Sequence, residues 1–197
     1  LKANLARLLT LKGLRKLLDE FVNVSDPARA DANRKLLDEL IPDRVPTDLL
    51  LTVLKLLLEE RVSVRNLPLV LEAIAEARGQ PTPEAVCDHV RQRLGFQIVA
   101  ELKREDGTIP LLQLAPEWEK IFATYQIEGE RGLRDVALPP DQFSRLANAL
   151  AERLSKAAET GVHPALVTST LRRRFLRTVL GAKGWPTPVL SYEEIGM

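Results

Sequence analysis

The sequence has little of what solution chemistry usually draws on. Its 197 residues include one cysteine, two histidines, one methionine and two tryptophans, and aromatic residues make up 5%. A lone Cys87 excludes an intrachain disulfide and fits a reducing compartment. Cys87 and His89 stand two apart on a predicted helix, where such residues do not face the same way. A metal site would need further ligands, and His163 is the only other histidine, so no metal is expected. Cys87 then reads as a small helix residue and His89 as a surface or rim side chain. Neither GxxxxGK[ST] nor GxGxxG occurs, and no cofactor is expected. Ser169 and Ser191 have no adjacent histidine to act as base. The paired acids Glu59-Glu60 and Glu193-Glu194 diverge on any regular backbone. No catalytic residue is assigned.

Excess charge of one sign is missing too. Lys and Arg total 28 against 27 Asp and Glu. Residues 1–98 carry 15 basic and 14 acidic side chains, which leaves 13 of each for the remainder. Neither half is a basic module, which argues against an electrostatic grip on nucleic acid. No apolar run approaches the roughly 18 residues that span a bilayer, and there is no signal-peptide pattern. The chain opens at Leu1, without Met and inside a helical pattern, so a fragment is expected, with room for a membrane segment upstream.

What is present is leucine at helical spacing. Hydrophobic residues make up 45% and charged residues 28%. Residues 1–22 read as one helix through Leu5, Leu8, Leu9, Leu14, Leu17, Leu18 and Phe21, weakened at Gly13. Ser25 or Asp26 before Pro27 starts the next, ending near Leu40. Thr47 is placed as the cap of a helix over Asp48–Glu60 that has almost no polar face. Leu67 to Arg78 is a helix closed by Gly79. Thr82-Pro83-Glu84 opens another, with Val86, Val90, Leu94 and Ile98 as a single stripe.

The second half changes character. Glu105-Asp106-Gly107-Thr108 is a turn signal, and Ile109 to Leu114 reads as a strand. Pro116 to Tyr125 is a short helix bearing Trp118, Ile121 and Phe122. Residues 126–137 read as a surface loop. A long amphipathic helix runs from Pro139-Pro140-Asp141 to Gly161. Ala165–Ser169 is a strand, Leu171–Leu180 a helix and Val189–Tyr192 a strand. Such a unit is a right-handed crossover between parallel strands. The expected fold is an α-rich α+β chain. An all-helical subdomain at 1–98 precedes a small α/β subdomain at 99–197, whose short sheet contains the parallel strand–helix–strand unit.

Two places hold candidate interaction residues. The connector Glu59 to Asn66 alternates Arg61, Ser63 and Arg65 with Val62 and Val64, as a short extended piece with one buried face does. Glu60, Arg61 and Arg65 are candidates for ion pairing within the fold or across a subunit boundary. In the second half, Arg172, Arg173, Arg174 and Arg177 cluster on one helix. Arg173 and Arg177 share a face, either as a patch for an anionic partner or as a solvated surface near acids, with Leu171, Phe175, Leu176, Val179 and Leu180 opposite. Trp118, Phe122 and Trp185 read as core or rim anchors, with Trp118 a partner candidate wherever it is exposed.

Several words now add up. LLLEERVSVRNL at Leu56–Leu67, LVLEAIAE at Leu69–Glu76 and VRQRLGFQIV at Val90–Val99 resemble the cytoplasmic C-terminal region of the flagellar and type III secretion export-gate family, the FlhA/InvA/SctV proteins. PALVTSTLRR at Pro164–Arg173 and VLSYEEI at Val189–Ile195 agree in order and spacing. The amino-terminal LLDEF and LLDEL words fit the helices that precede that core, and departures concentrate between residues 103 and 138. The resemblance implies the last two of four cytoplasmic subdomains of a membrane protein at the cytoplasmic face of the bacterial inner membrane. Members form nonameric rings with other copies of themselves. They receive export chaperones, substrates and export-apparatus proteins, with no nucleic acid and no nucleotide on this subunit. Two competitors stand beside this reading. One is a winged-helix-like nucleic-acid-binding regulator, if residues 98–114 form a hairpin. The other is a hydrolase on the α/β half, which lacks catalytic neighbours.

Overall fold

The computed structural model describes residues 5–129 and 132–196, and it divides the chain into two compact units, Leu1–Leu94 and Gly95–Met197. All the regular elements described in the first are helices. They are α1 (Leu5–Leu8), α2 (Leu11–Val22), α3 (Pro27–Leu40), α4 (Thr47–Glu59), α5 (Leu67–Glu76) and α6 (Pro83–Arg93).

The single helix expected over residues 1–22 is broken; its first four residues lie outside the described ones. The break follows from Thr10, whose hydroxyl accepts from the Gly13 amide at 3.1 Å and caps α2. A threonine that satisfies an orphan amide starts a helix more readily than it continues one. The proline-led starts are where the sequence puts them. Asp26 accepts from Ala28 ahead of Pro27, and Thr82 accepts from Ala85 ahead of Pro83. Thr47 is the first residue of α4 rather than its cap, since Pro46 holds the cap position without a side-chain bond.

Packing of this unit centres on α4, α5 and α6. Helix α6 lies against both α4 and α5, α1 against α4, and α3 against α2 and α5. Leu50, Val53, Leu54 and Leu57 of α4 are fully buried, together with Val70, Leu71 and Ile74 of α5 and Val90 of α6. Each such side chain is worth roughly 1.5–3 kcal/mol of burial, so these helices anchor the unit.

The stripe Val86, Val90, Leu94 and Ile98 is buried as expected, but not on one helix. The chain breaks at Leu94, and Gly95 begins α7 (Gly95–Leu102) in the second unit. There follow β1 (Leu111–Gln113), α8 (Pro116–Thr124), β2 (Gln126–Glu128), β3 (Arg134–Val136), α9 (Pro140–Glu159), β4 (Ala165–Thr168), α10 (Thr170–Ala182) and β5 (Val189–Ser191). The sheet order is β1-β4-β5, with both pairings parallel. The strand–helix–strand unit is therefore β4–α10–β5, as the sequence predicts.

Two expectations fail in this unit. No hairpin forms over residues 98–114: α7 runs to Leu102, a turn carries Asp106 and Gly107, and β1 pairs in parallel with β4. The winged-helix alternative loses its wing. Conversely, the surface loop expected over residues 126–137 contains an antiparallel pair, β2 with β3. Its strands are three residues each and mostly exposed, so no alternation of apolar residues marks them. The core of this unit gathers Phe122, Leu146, Leu150, Leu166, Leu176, Leu180 and Val189, with Leu112 and Leu114 packed against it.

Candidate interaction surfaces

The connector between α4 and α5 ends its helix in an unusual way. The Arg61 amide donates to the Leu58 carbonyl at 3.0 Å, and the Val62 amide donates to the Leu57 carbonyl at 2.9 Å. These two bonds make a Schellman cap. The position that such a cap puts in left-handed backbone belongs here to Arg61, at φ 60°. Glycine normally fills it, because a Cβ costs about 1–2 kcal/mol in that conformation. Val62 and Leu57 are both buried, so the cap is anchored and the Arg61 side chain is turned out to solvent. The extended reading of the connector therefore holds only beyond the cap.

Its candidate residues separate. Glu60 turns inward, its Oε2 3.3 Å from Nη1 of Arg91, whose side chain is 3% exposed. Arg61 and Arg65 are exposed, and neither guanidinium has a partner among the described residues. Arg91 was missed by sequence reasoning. Its signal was the helical period, which sets Arg91 one turn after the buried Cys87. On the same unit, Glu76 Oε2 accepts from His89 Nε2 at 2.8 Å and lies 3.2 Å from Arg93 Nε. His89 is thus a paired rim residue.

The arginines of α10 are not a solvated face. Arg172 and Arg173 are each 2% exposed, while Leu171, assigned to the apolar face, is 42% exposed. The helix is the crossover between parallel strands, so the positions one residue on from Leu171 are the ones that turn inward. Long guanidinium stems then reach acids brought in by other elements. Arg172 donates from Nε to Glu119 Oε1 at 2.9 Å and from Nη1 to Gln126 Oε1 at 3.1 Å. Arg173 Nε lies 3.7 Å from Glu194 Oε1, with both side chains buried.

Arg173 and Arg177 do share a face, and both point to the segment around β5. Arg177 Nη1 donates to the carbonyls of Trp185 at 3.2 Å and Thr187 at 2.9 Å. Glu194 closes a reciprocal capping box: its carboxylate accepts from the Ser191 amide at 3.3 Å, and its amide donates to the Ser191 hydroxyl at 3.2 Å. That S-x-x-E word was readable in the sequence.

Trp118 is 9% exposed and belongs to the core. Its ring centroid lies 6.0 Å from that of Phe122, and the Arg145 guanidinium sits 5.5 Å above it. Two acids are held below their ordinary range. Glu193 is lowered chiefly by the Thr170 hydroxyl, 2.7 Å away, and Asp106 chiefly by the Thr108 hydroxyl, 2.6 Å away. Both are exposed; Asp106 holds a local turn, and Glu193 ties the start of α10 to the turn after β5. Among the described residues no group of three or more His, Cys, Asp or Glu could hold a metal, and no helix is long and apolar enough to cross a membrane.

A helical unit followed by a small parallel-sheet unit is a fold shared with solved cytosolic domains of secretion-apparatus proteins. The chain superposes on the nonameric SctV-C of EPEC with a TM-score of 0.82 at 18% identity, covering 99% of this chain and 56% of that one. It superposes on the MxiA protein of Shigella flexneri with a TM-score of 0.80 at 25% identity, covering 98% and 60%. In sequence it is 33% identical over 196 residues to the flagellar biosynthesis protein FlhA of Caulobacter vibrioides, 99% of this chain and 27% of that protein. It is 25% identical over 186 residues to the secretion system apparatus protein SsaV of Salmonella typhimurium, 91% of this chain and 26% of that protein. The chain spans about a quarter of the length of these curated relatives. The FHIPEP family model matches residues 1–197, and the chain belongs to that family, the flagellar and type III secretion export-gate proteins.

Proposed function

We propose that this chain is a non-enzymatic assembly and docking module of an export gate at the cytoplasmic face of the bacterial inner membrane. Its helical unit corresponds to the third cytoplasmic subdomain and its α/β unit to the fourth. Copies of the protein pack side by side in a ring and present docking surfaces to export chaperones, substrates and other export-apparatus proteins. Family membership supports the setting. The fold likeness to proteins solved as nonamers supports the ring, and the CdsV and CdsO complex of Chlamydia pneumoniae, a fold neighbour, supports apparatus partners.

One observation carries the assembly reading. Arg61 keeps a side chain on a backbone position that favours glycine, exposed and without a partner among the described residues, four residues from Arg65, whose side chain is in the same state. Among the described residues the buried Arg91, Arg172 and Arg173 each lie against a carboxylate, so an exposed pair left open fits a heterologous contact with a neighbouring copy. Such a contact is weak for a chain not concentrated by a membrane. Sedimentation equilibrium at rising concentration and varied salt tests it, on the parent and on Arg61→Glu and Arg65→Glu, beside urea unfolding. Weak, salt-sensitive self-association that both reversals lower, with stability unchanged, is expected. Association indifferent to both reversals overturns the assignment of these residues.

A further inference from the structure

The parallel sheet of the second unit ends at β1, and that end is open. The Ala165 amide donates to the Pro110 carbonyl at 3.0 Å, which fixes the phase of the ladder. Residues 110, 112 and 114 turn their backbone groups toward β4. Leu111 and Gln113 turn theirs away. Among the described residues no group pairs with the outward amides or carbonyls of Leu111 and Gln113. Leu111 is itself 40% exposed. The Gln113 side chain is engaged separately, donating to the Tyr192 hydroxyl at 3.4 Å.

Below this edge lies a cavity of about 500 Å³. Leu112 and Leu114 of β1, Trp118 of α8 and Leu150 of α9 give it an apolar floor, and Glu152 and Arg153 stand at its rim. Trp118 and Leu150 belong to the core of the unit and Leu112 and Leu114 pack against it, so the cavity continues the core layer to where a next strand would run. The rim charge is one-sided. Glu152 is paired with Lys156 at 3.8 Å, whereas Arg153 is exposed and without a partner among the described residues.

We propose that the β1 edge is a strand-addition site for an extended polypeptide segment. Two outward N–H and C=O pairs at two-residue spacing match an extended backbone and no helix. Strand addition puts alternate side chains of the guest on the core side, where the cavity takes one aliphatic residue. Arg153, on that same face, takes a carboxylate two residues along. The guest is thus an unfolded or extended segment with an apolar residue and an acid two positions away. This deepens the docking reading above and rests on it, but its test is separate from the assembly test at Arg61 and Arg65. A null result at β1 leaves self-association untouched, and the reverse also holds.

The test uses the 197-residue chain and three versions of one short synthetic peptide of alternating valine and threonine with a central leucine and an aspartate two residues to either side of it. One version is unmodified. The other two are N-methylated on odd or on even amides, which blocks strand pairing on one side at a time. Affinity is read by fluorescence anisotropy, and the Leu111 and Gln113 amides are followed by NMR hydrogen exchange. The unmodified peptide is expected to bind and to protect both amides. One methylated twin is expected to lose about tenfold or more in affinity, the effect of two lost hydrogen bonds, while the other keeps it. Gln113→Pro removes an outward amide that β4 does not use and should abolish binding with an unchanged circular dichroism spectrum. Arg153→Glu should reverse the preference toward a peptide with lysines in place of the aspartates. No binding of the unmodified peptide overturns the proposal. So does equal binding of all three peptides, or binding that alters Trp118 fluorescence while both amides exchange as before.

Discussion

The backbone carbonyl of Glu194 occupies the space that a Cβ on Gly95 would need. Helix α7 therefore starts flush against the turn that follows β5, and only glycine allows it. The obstructing atoms are main chain, so a methyl group cannot be accommodated by a side-chain swing. Gly95→Ala is expected to destabilise the second unit by about 1–3 kcal/mol, more than the roughly 1 kcal/mol alanine gains in a helix. Gly181→Ala is the control, since a Cβ there meets only the Arg177 guanidinium at 3.9 Å. Urea unfolding of the two variants should move in opposite directions.

Arg61 poses the reverse case. Its left-handed backbone is the C′ position of the cap that ends α4, and glycine relieves the strain. Arg61→Gly is expected to stabilise the helical unit by up to about 1 kcal/mol, while Arg61→Ala leaves it nearly unchanged because the Cβ remains. If Arg61→Gly unfolds at lower urea than the parent, the strain assignment is wrong. A variant that folds better but self-associates less would separate what the backbone prefers from what the side chain is kept for.

The buried pair Arg173–Glu194 ties the crossover helix to the turn after β5. Removing one partner leaves a charge with less compensation in a dry setting, a loss of about 3–5 kcal/mol. Glu194→Gln preserves the bond from the Ser191 amide and so isolates the charge term. Arg173→Met and Glu194→Gln should each be strongly destabilising, and the double variant should lose less than their sum, by about 1–3 kcal/mol. Strict additivity in urea melts would show that the two groups do not act as a pair.

The helical elements were legible because their signals are local. Asp26-Pro27, Thr82-Pro83 and Pro139-Pro140 start helices that the leucine period then carries, and the parallel β4–α10–β5 unit follows from strand length and spacing. What escaped was whatever depends on partners far along the chain. Nothing near Arg172 in sequence announces Glu119, and nothing near Glu60 announces Arg91, so the ion pairing expected of Glu60 lacked its partner and the α10 arginines were left open between a partner patch and a solvated face. The hairpin β2–β3 escaped for another reason. Its two three-residue strands, Gln126–Glu128 and Arg134–Val136, are largely exposed and bury only Val136, so no alternating pattern exists to be read.

Glu193 gives the unit a modest acid sensitivity. The Thr170 hydroxyl donates to its carboxylate and holds the folded-state pKa below the ordinary glutamate value of 4.5. The stabilisation is therefore complete above that unfolded value and disappears as pH falls through the folded one. Thr170→Val should raise the Glu193 pKa, read by carboxyl carbon NMR titration, and flatten the acid limb of stability slightly, since the group is exposed. An unchanged titration in the variant would remove the hydroxyl as cause.

Arg177 shapes the segment 185–187 by donating from one nitrogen to two backbone carbonyls, those of Trp185 and Thr187. A lysine retains the charge but carries it on a flexible stem whose ammonium rotates freely, with no planar guanidinium to hold two N–H directions fixed. Arg177→Lys should therefore keep the fold and loosen the segment, and Arg177→Met should loosen it further. The half-buried Trp185 reports this directly in a Trp118→Phe background. Its emission should shift to the red and its anisotropy decay faster, in the order parent, Lys, Met, with faster amide exchange over the same residues. An emission that stays fixed while global stability falls would make Arg177 a general core residue and not the clamp on this segment.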